Sequence, residues 1–310
     1  MTVAVTGSEA AAGEVSEKRR GPVVALLVAL RPRQWLKNSI VVAAPLAAAT
    51  LLLPRTLWLT AVAIVAMCLA SSAGYLVNDV RDVAADRLHP VKRLRPIAAR
   101  ELGAGVAVVV AGLLGLGALA LAAMVDRPGL VLVIAVYLAT TVAYSLWLKH
   151  EAVLDIAIVA SGFVLRALAG GMATGVAPSR WFLIVAAFGS LFLVAGKRAS
   201  ELVRDDHDPT SARRALGDYS ADYLRFVWQL AAAITITAYC LWGFGLAPHA
   251  GRIDWEPISV APFVLALLRY AQHVERGDAG EPETLALQDR TLQVLALVWL
   301  VVFTLGAYHL

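Results

Sequence analysis

The sequence predicts an all-α fold: a polytopic membrane helical bundle of nine transmembrane helices with a cytoplasmic N-terminus. Three observations carry that expectation. Of the 310 residues, 59% are hydrophobic and 16% charged, and the mean hydropathy is +0.71, a balance foreign to soluble globular domains. Apolar runs lie at about residues 38–54, 57–77, 102–125, 129–148, 153–175, 180–196, 220–247, 256–272 and 290–310. Each is close to the roughly 20 residues that one helical crossing needs. The connections between them also alternate in charge, which orients the chain.

Residues 1–21 are rich in Ala, Gly, Glu and Ser and end near Lys18-Arg19-Arg20. They hold too little apolar surface to fold alone and read as a disordered cytoplasmic tail. Val23 to Leu30 runs into Arg31-Pro32-Arg33 without a small-residue cleavage site, so a retained N-terminus is expected rather than a signal peptide. Leu26 to Lys37 mixes Leu26, Leu27, Leu30 and Trp35 with Arg31, Arg33 and Lys37, as a helix lying in the headgroup region would. The remainder, 22–310, reads as one transmembrane catalytic domain. Cys68 and Cys240 both sit in apolar runs, which excludes a disulfide framework and a paired-cysteine metal site.

Single basic residues, Arg55, Arg127, Arg180 and Arg252, mark the connections between spans 1–2, 3–4, 5–6 and 7–8. The other connections hold six Lys/Arg between Arg81 and Arg100, Lys149 in the 4–5 turn, five from Lys197 to Arg214 and three from Arg269 to Arg290, so the positive-inside rule places them and the N-terminus in the cytoplasm and the C-terminus outside. The 2–3 and 6–7 connections also hold acidic clusters. Chemistry is therefore expected on the cytoplasmic face, in a cavity shared by two halves of the bundle. No nucleic-acid partner is expected, and the oligomeric state, a homo-oligomer included, is left open.

At the end of the second span the chain reads Gly74-Tyr75-Leu76-Val77-Asn78-Asp79-Val80-Arg81-Asp82-Val83-Ala84-Ala85-Asp86. Asn78, Asp82 and Asp86 recur every four residues and share one helix face, with Asp79 beside it. Three stacked oxygen donors repel one another unless a cation joins them, and Mg2+ favours a few carboxylates completed by phosphate oxygens and water. The plainer reading is a solvated helix end paired with Arg81, Arg87 and Lys92. Position argues against it, because ionisable groups at the margin of a membrane helix are costly and mark substrate or ion sites.

Downstream, Pro90 and Pro96 bracket Lys92, Arg93 and Arg95, stop the helix and hold the cations on a constrained turn. Lys92 and Arg95 are candidates to neutralise phosphate beside the metal. Tyr144 and Lys149 close span 4 in an aromatic-belt pattern. Arg166 lies inside span 5 and should face a cavity and an anionic partner. Span 6 leaves through Lys197, Arg198, Glu201 and Asp205, either a second metal shell with a phosphate clamp or a salt-bridged helix end.

The pattern Asn78-Asp79-x-x-Asp82-x-x-x-Asp86, followed by His89-Pro90-x-Lys92-Arg93-x-Arg95-Pro96, resembles the first aspartate-rich signature of the UbiA superfamily of membrane prenyltransferases. The resemblance extends from about residue 30 to the C-terminus and implies nine helices and Mg2+-diphosphate chemistry. Arg31 to Asn38, Phe188 to Phe192, Gly196-Lys197-Arg198 and Asp289-Arg290 look most like the branch that transfers phosphoribose to decaprenyl phosphate. Aromatic-acceptor members carry a second Asp-rich ladder near span 6, whereas Lys197, Arg198 and Glu201 stand here. A basic pair suits a second, metal-free phosphate.

The resemblance thus implies a phosphoribosyl diphosphate (PRPP) donor and a polyprenyl phosphate acceptor in the bilayer of the plasma membrane. Asn78, Asp82 and Asp86 are the catalytic and metal-holding set, with Glu201 a further metal ligand. Lys37, Asp79, Lys92, Arg95, Tyr144, Lys149, Arg166, Lys197 and Arg198 are the substrate-binding candidates. Two other readings are open: transfer of a prenyl chain from its diphosphate to an aromatic or other small acceptor, and ion transport along the acidic ladder and Arg166.

Overall fold

The computed structural model describes residues 20–205, 219–245 and 253–308. These residues form helices and turns, with no strand among them. The expected N-terminal tail lies almost wholly outside the described residues, as do 206–218 of the 6–7 connection and the side chain of Asp205.

In chain order the α-helices are α1 (Pro22–Ala29), α2 (Ala43–Ala47), α3 (Pro54–Arg81), α4 (Val83–Leu88), α5 (Ala104–Ala123), α6 (Pro128–Leu146) and α7 (Leu154–Thr174). They continue with α8 (Arg180–Asp205), α9 (Ala221–Phe244), α10 (Trp255–Glu275), α11 (Pro282–Gln288) and α12 (Arg290–Ala307). Seven of them, α3, α5, α6, α7, α8, α9 and α12, are long and apolar enough to cross a membrane. They correspond to seven of the nine expected spans, and the integral membrane character follows.

The first and eighth expected spans differ. Residues 38–54 are not one helix: a 3₁₀ segment, Pro32–Val42, leads into the five-residue α2. Arg31 ahead of it has φ 55°, in the left-handed region that costs a side-chain-bearing residue energy, and Pro32 then fixes the entry angle. Pro45 inside α2 adds a second interruption. Helix α10 has 21 residues, but Glu256, Arg269, His273 and Glu275 dilute its apolar stretch.

Prolines at the first position of α1, α3, α6 and α11 occupy the site where a missing N–H costs nothing. Packing divides into two large cores. One joins α3, α5, α6 and α7 through Met67, Leu130, Ile134 and Tyr137. The other joins α7 to α8, α9 and α10 through Ile156, Phe192, Leu224, Trp228 and Tyr270. Helix α7 belongs to both. Outward-facing Leu113, Leu116, Leu132, Leu265 and Leu297 are exposed, as lipid-facing positions must be.

Close approach of the 3₁₀ segment to α7 requires a glycine. A Cβ at Gly170 would stand 1.8 Å from the Val41 carbonyl oxygen, backbone that cannot rotate aside. Gly170→Ala is therefore expected to lower stability by about 1–3 kcal/mol through overpacking, read as a fall in Tm of the purified protein.

Candidate active site

The acidic ladder survives a break in its helix. Helix α3 ends at Arg81, Asp82 turns at φ −90°, ψ 4°, and α4 resumes. The Asp82 N–H still donates to the Asn78 carbonyl at 2.9 Å and the Asp86 N–H to the Asp82 carbonyl at 2.8 Å. The four-residue register is preserved, and the three side chains stay on neighbouring turns.

Each ladder acid is held by a cation from another element. Arg95 Nη1 donates to Asp86 Oδ2 at 2.7 Å and to Asp79 Oδ1 at 3.1 Å. Arg31 Nη2 donates to the same Asp79 oxygen at 2.5 Å, with its guanidinium 4.9 Å from the centre of the Tyr75 ring. Lys149, on the 3₁₀ turn Leu148–His150, donates to Asp82 Oδ1. The 2–3 and 4–5 connections therefore meet at Asp82. His89 Nδ1 accepts from the N–H groups of Val91 and Lys92, both at 3.2 Å, and this fixes the turn that carries Lys92 and Arg95.

A second cluster lies where α7 begins. Val153 takes φ 69°, a conformation costing a β-branched residue about 1–3 kcal/mol, and its N–H donates to the Tyr219 hydroxyl at 2.6 Å. Asp155, two residues on, accepts from Tyr144 Oη at 2.6 Å, from Arg198 Nε at 2.8 Å and from Arg198 Nη2 at 3.1 Å. Arg198 Nη1 donates to Glu201 at 2.8 Å, and Lys197 lies 3.9 Å from Glu201.

Between the two clusters stands a group of cations. Asn38 is fully buried, accepts from Arg166 Nε at 2.7 Å and donates to Cys68 Sγ at 3.1 Å. Arg166 also donates to Tyr137 Oη at 2.7 Å and to the Gly162 carbonyl at 2.8 Å. Its guanidinium sits 4.9 Å from the Tyr137 ring centre and 5.5 Å from that of Phe163. Lys37 is ion-paired with Glu283 of α11. Burial pulls the Lys37 ammonium from its ordinary value down to about 7, and the positive charges of Lys197, Arg166 and Arg31 push the same way.

Three of the expected substrate-binding residues already have partners within the protein. Arg166 has no carboxylate partner among the described residues; neutral acceptors and two aromatic faces satisfy it, so it locks the 3₁₀ segment to α7. Arg198 does not present a free fork to phosphate, because Asp155 and Glu201 close it from two sides in a site where its side chain is 4% exposed. Asp79 is 2% exposed and accepts from both Arg31 and Arg95. Asn78, Asp82, Asp86, Lys92, Arg95, Lys149 and Lys197 remain on the 2–3, 4–5 and 6–7 helix ends as expected.

Arg31, Asn38, Tyr137, Asp155 and Glu283 are contributors that the sequence reading did not single out. Asp155 was the most accessible of these to the rule applied to Arg166, since it too is an ionisable residue inside an apolar run. Glu283 gives no sequence signal, because its partner is some 250 residues away.

Among the described residues no three His, Cys, Asp or Glu side chains form a cage that would hold a metal unaided. The donor set nevertheless fits Mg2+, which needs one or two carboxylates and takes its other ligands from phosphates and water. Asp82 and Asp86 each give one oxygen to a cation, and each carboxylate keeps a second oxygen.

The helices and this arrangement of charges define an integral membrane transferase, and the chain belongs to the UbiA prenyltransferase family, matched over residues 38–293. Among its relatives is the decaprenyl-phosphate phosphoribosyltransferase of Corynebacterium glutamicum, 46% identical over 95% of this chain and 91% of that protein. The decaprenyl-phosphate phosphoribosyltransferase of Mycobacterium tuberculosis is 48% identical over 92% of this chain and 94% of that one. A solved UbiA homolog from Archaeoglobus fulgidus bound to GPP and Mg2+ aligns with TM-score 0.71 and 16% identity over 92% of this chain and 100% of that chain. That likeness establishes the fold.

Asp155→Asn should be among the most damaging single changes in this region. Unpairing buried Arg198 is expected to cost about 3–5 kcal/mol, whereas Glu201→Gln, at the partly exposed end of the network, should cost under about 1 kcal/mol. Thermal unfolding of the two variants in detergent measures the difference.

Proposed function

We propose that this protein transfers the 5-phosphoribosyl group of PRPP to a polyprenyl phosphate, decaprenyl phosphate in its relatives, with release of diphosphate. The reaction supplies a lipid-linked pentose for cell-wall arabinan. It takes place at the cytoplasmic face of the plasma membrane in a bundle that crosses nine times, the first and eighth crossings being the irregular ones. The observation that carries this reading is the pairing of two unlike sites: an acidic face at Asn78, Asp82 and Asp86, and a cationic group around Lys37. One suits a metal-bound diphosphate and the other a phosphate without metal. The names of relatives at 46–48% identity support the choice of substrates.

Asn78, Asp82 and Asp86 would hold the metal, and bound Mg2+ stabilises the charge that builds on the departing diphosphate. Arg95, aimed by Asp79 and Asp86, lies beside that charge as a planar donor. Lys149 fixes Asp82 and draws the 4–5 turn over the donor. Lys37 and Lys197 take the remaining phosphates. An oxygen of the lipid phosphate forms the new bond to the ribose anomeric carbon as the bond to diphosphate breaks. The nucleophile is already an anion, so no strong base is required, and alignment supplies much of the rate.

Ribose-labelled PRPP offered with polyprenyl phosphate should place label in the lipid fraction. Label appearing there only when a prenyl diphosphate and an aromatic acceptor are supplied would favour the prenyl-transfer reading. Asp82→Asn is expected to abolish transfer while elution volume and Tm stay near wild type, and excess chelator should remove PRPP binding. Below about pH 7 Lys37 is a cation, and above it the buried side chain loses its proton. The KM for the substrate whose phosphate meets Lys37 should therefore rise as pH climbs through 7 to 8, and Lys37→Arg should flatten that rise.

A further inference from the structure

Lys37 stands among other cations. Lys197, Arg166 and Arg31 all act on it. Arg31 is already committed to Asp79, Lys197 shares Glu201 with Arg198, and Arg166 donates to neutral acceptors. The carboxylate that meets Lys37 comes from a distant piece of chain, Glu283 on α11. Glu283 Oε1 is shut off from solvent, and the ion pair is largely covered, with side chains 23% and 18% exposed.

The element that delivers Glu283 is slight. Helix α11 has seven residues, Pro282–Gln288, between the ends of α10 and α12. Beside it lies a cleft of about 370 Å³ lined by Asp278, Glu281, Thr284, Leu285 and Gln288. Three of these residues are on α11 itself, so the helix has open space along the side that carries them.

We propose that Glu283 is an internal surrogate for a substrate phosphate: it occupies the anion position on Lys37 in the unliganded enzyme and is displaced when a phosphate arrives. The inference rests on the phosphoribosyl-transfer reading for the identity of the two phosphates, and deepens it by naming the residue that competes with one of them. The electrostatics favour exchange. A single carboxylate faces Lys37 with Lys197, Arg166 and Arg31 nearby, and a phosphate of higher charge gains more from the same field. The carboxylate also holds Lys37 in place until the exchange occurs. Glu283 is thus a specificity-determining residue, since an anion too weakly charged to displace it does not engage Lys37.

The ligand is a phosphate monoester, which both substrates carry: the 5-phosphate of the donor and the phosphate of the lipid. The test is steady-state kinetics of Glu283→Gln, an isosteric change, with each substrate varied in turn. The expected result is a KM about two- to fivefold lower for one substrate, an unchanged KM for the other, and kcat within about twofold of wild type. The substrate whose KM falls is the one whose phosphate meets Lys37. In the Lys37→Gln background the same change at Glu283 should have no effect on either KM, an outcome that a merely structural role would not produce. A raised KM, a lost kcat or an unaltered KM for both substrates in a folded Glu283→Gln variant overturns the proposal. Should wild type fail to move ribose label at all, the functional reading fails, and calorimetric titration with inorganic phosphate then decides this inference alone. Tighter binding to Glu283→Gln than to wild type supports it, and equal or weaker binding sinks it. If Glu283→Gln does not fold, Glu283→Ala is compared in the same titration.

Discussion

Burial of charge at helix ends is the constraint from which this structure follows. Asp79, 2% exposed, is buried where α3 ends, and Arg31 and Arg95 both reach it. Those two arginines come from segments on opposite sides of α3 in sequence. Pairing them on one oxygen pins the start of the 3₁₀ segment and the 2–3 turn to the same point. An isolated ion there would be too costly to desolvate, so folding of the two segments is coupled.

The same logic repeats at Asp155 and Arg198, where the strained Val153 backbone sets the carboxylate at the head of α7. Helix α7 carries Asp155 near one end, Arg166 in its middle and Gly170 further on. It contributes to both hydrophobic cores, so it is the part through which the two halves sense each other. The cationic ring around Lys37 lies between these anchored points. Part of its repulsion is offset where the Glu283 carboxylate meets Lys37.

Much of the layout was legible in the sequence because lipid enforces it. Runs of apolar residues near membrane length gave seven helices at the expected places, and the four-residue spacing of Asn78, Asp82 and Asp86 gave the ladder. The first crossing was not legible as a broken one. Its break is written in a left-handed residue, Arg31, in Pro45 and in a glycine on another helix, Gly170, while residues 38–54 still read as one apolar run. Pairings were less legible than residues. Arg198 was read as a candidate for substrate phosphate, but its partner Asp155 lies 43 positions away, and no local pattern says which acid will meet which base. Arg166 shows the reverse case: the cost of burying a guanidinium is met by an amide, a carbonyl, a phenol and two ring faces, a solution that charge counting does not anticipate.

Helix α12 is the least enclosed of the seven long helices, with 11% of its apolar window buried, and it packs chiefly against α10. Val294, Leu297, Val298, Leu300 and Val301 face outward along it. In the bilayer, acyl chains press on that flank and hold the helix in place laterally. A small, loosely packed micelle offers no such pressure, so extraction into harsh surfactant will loosen the C-terminal rim first, and α11 with it, while the ladder on α3 stays intact.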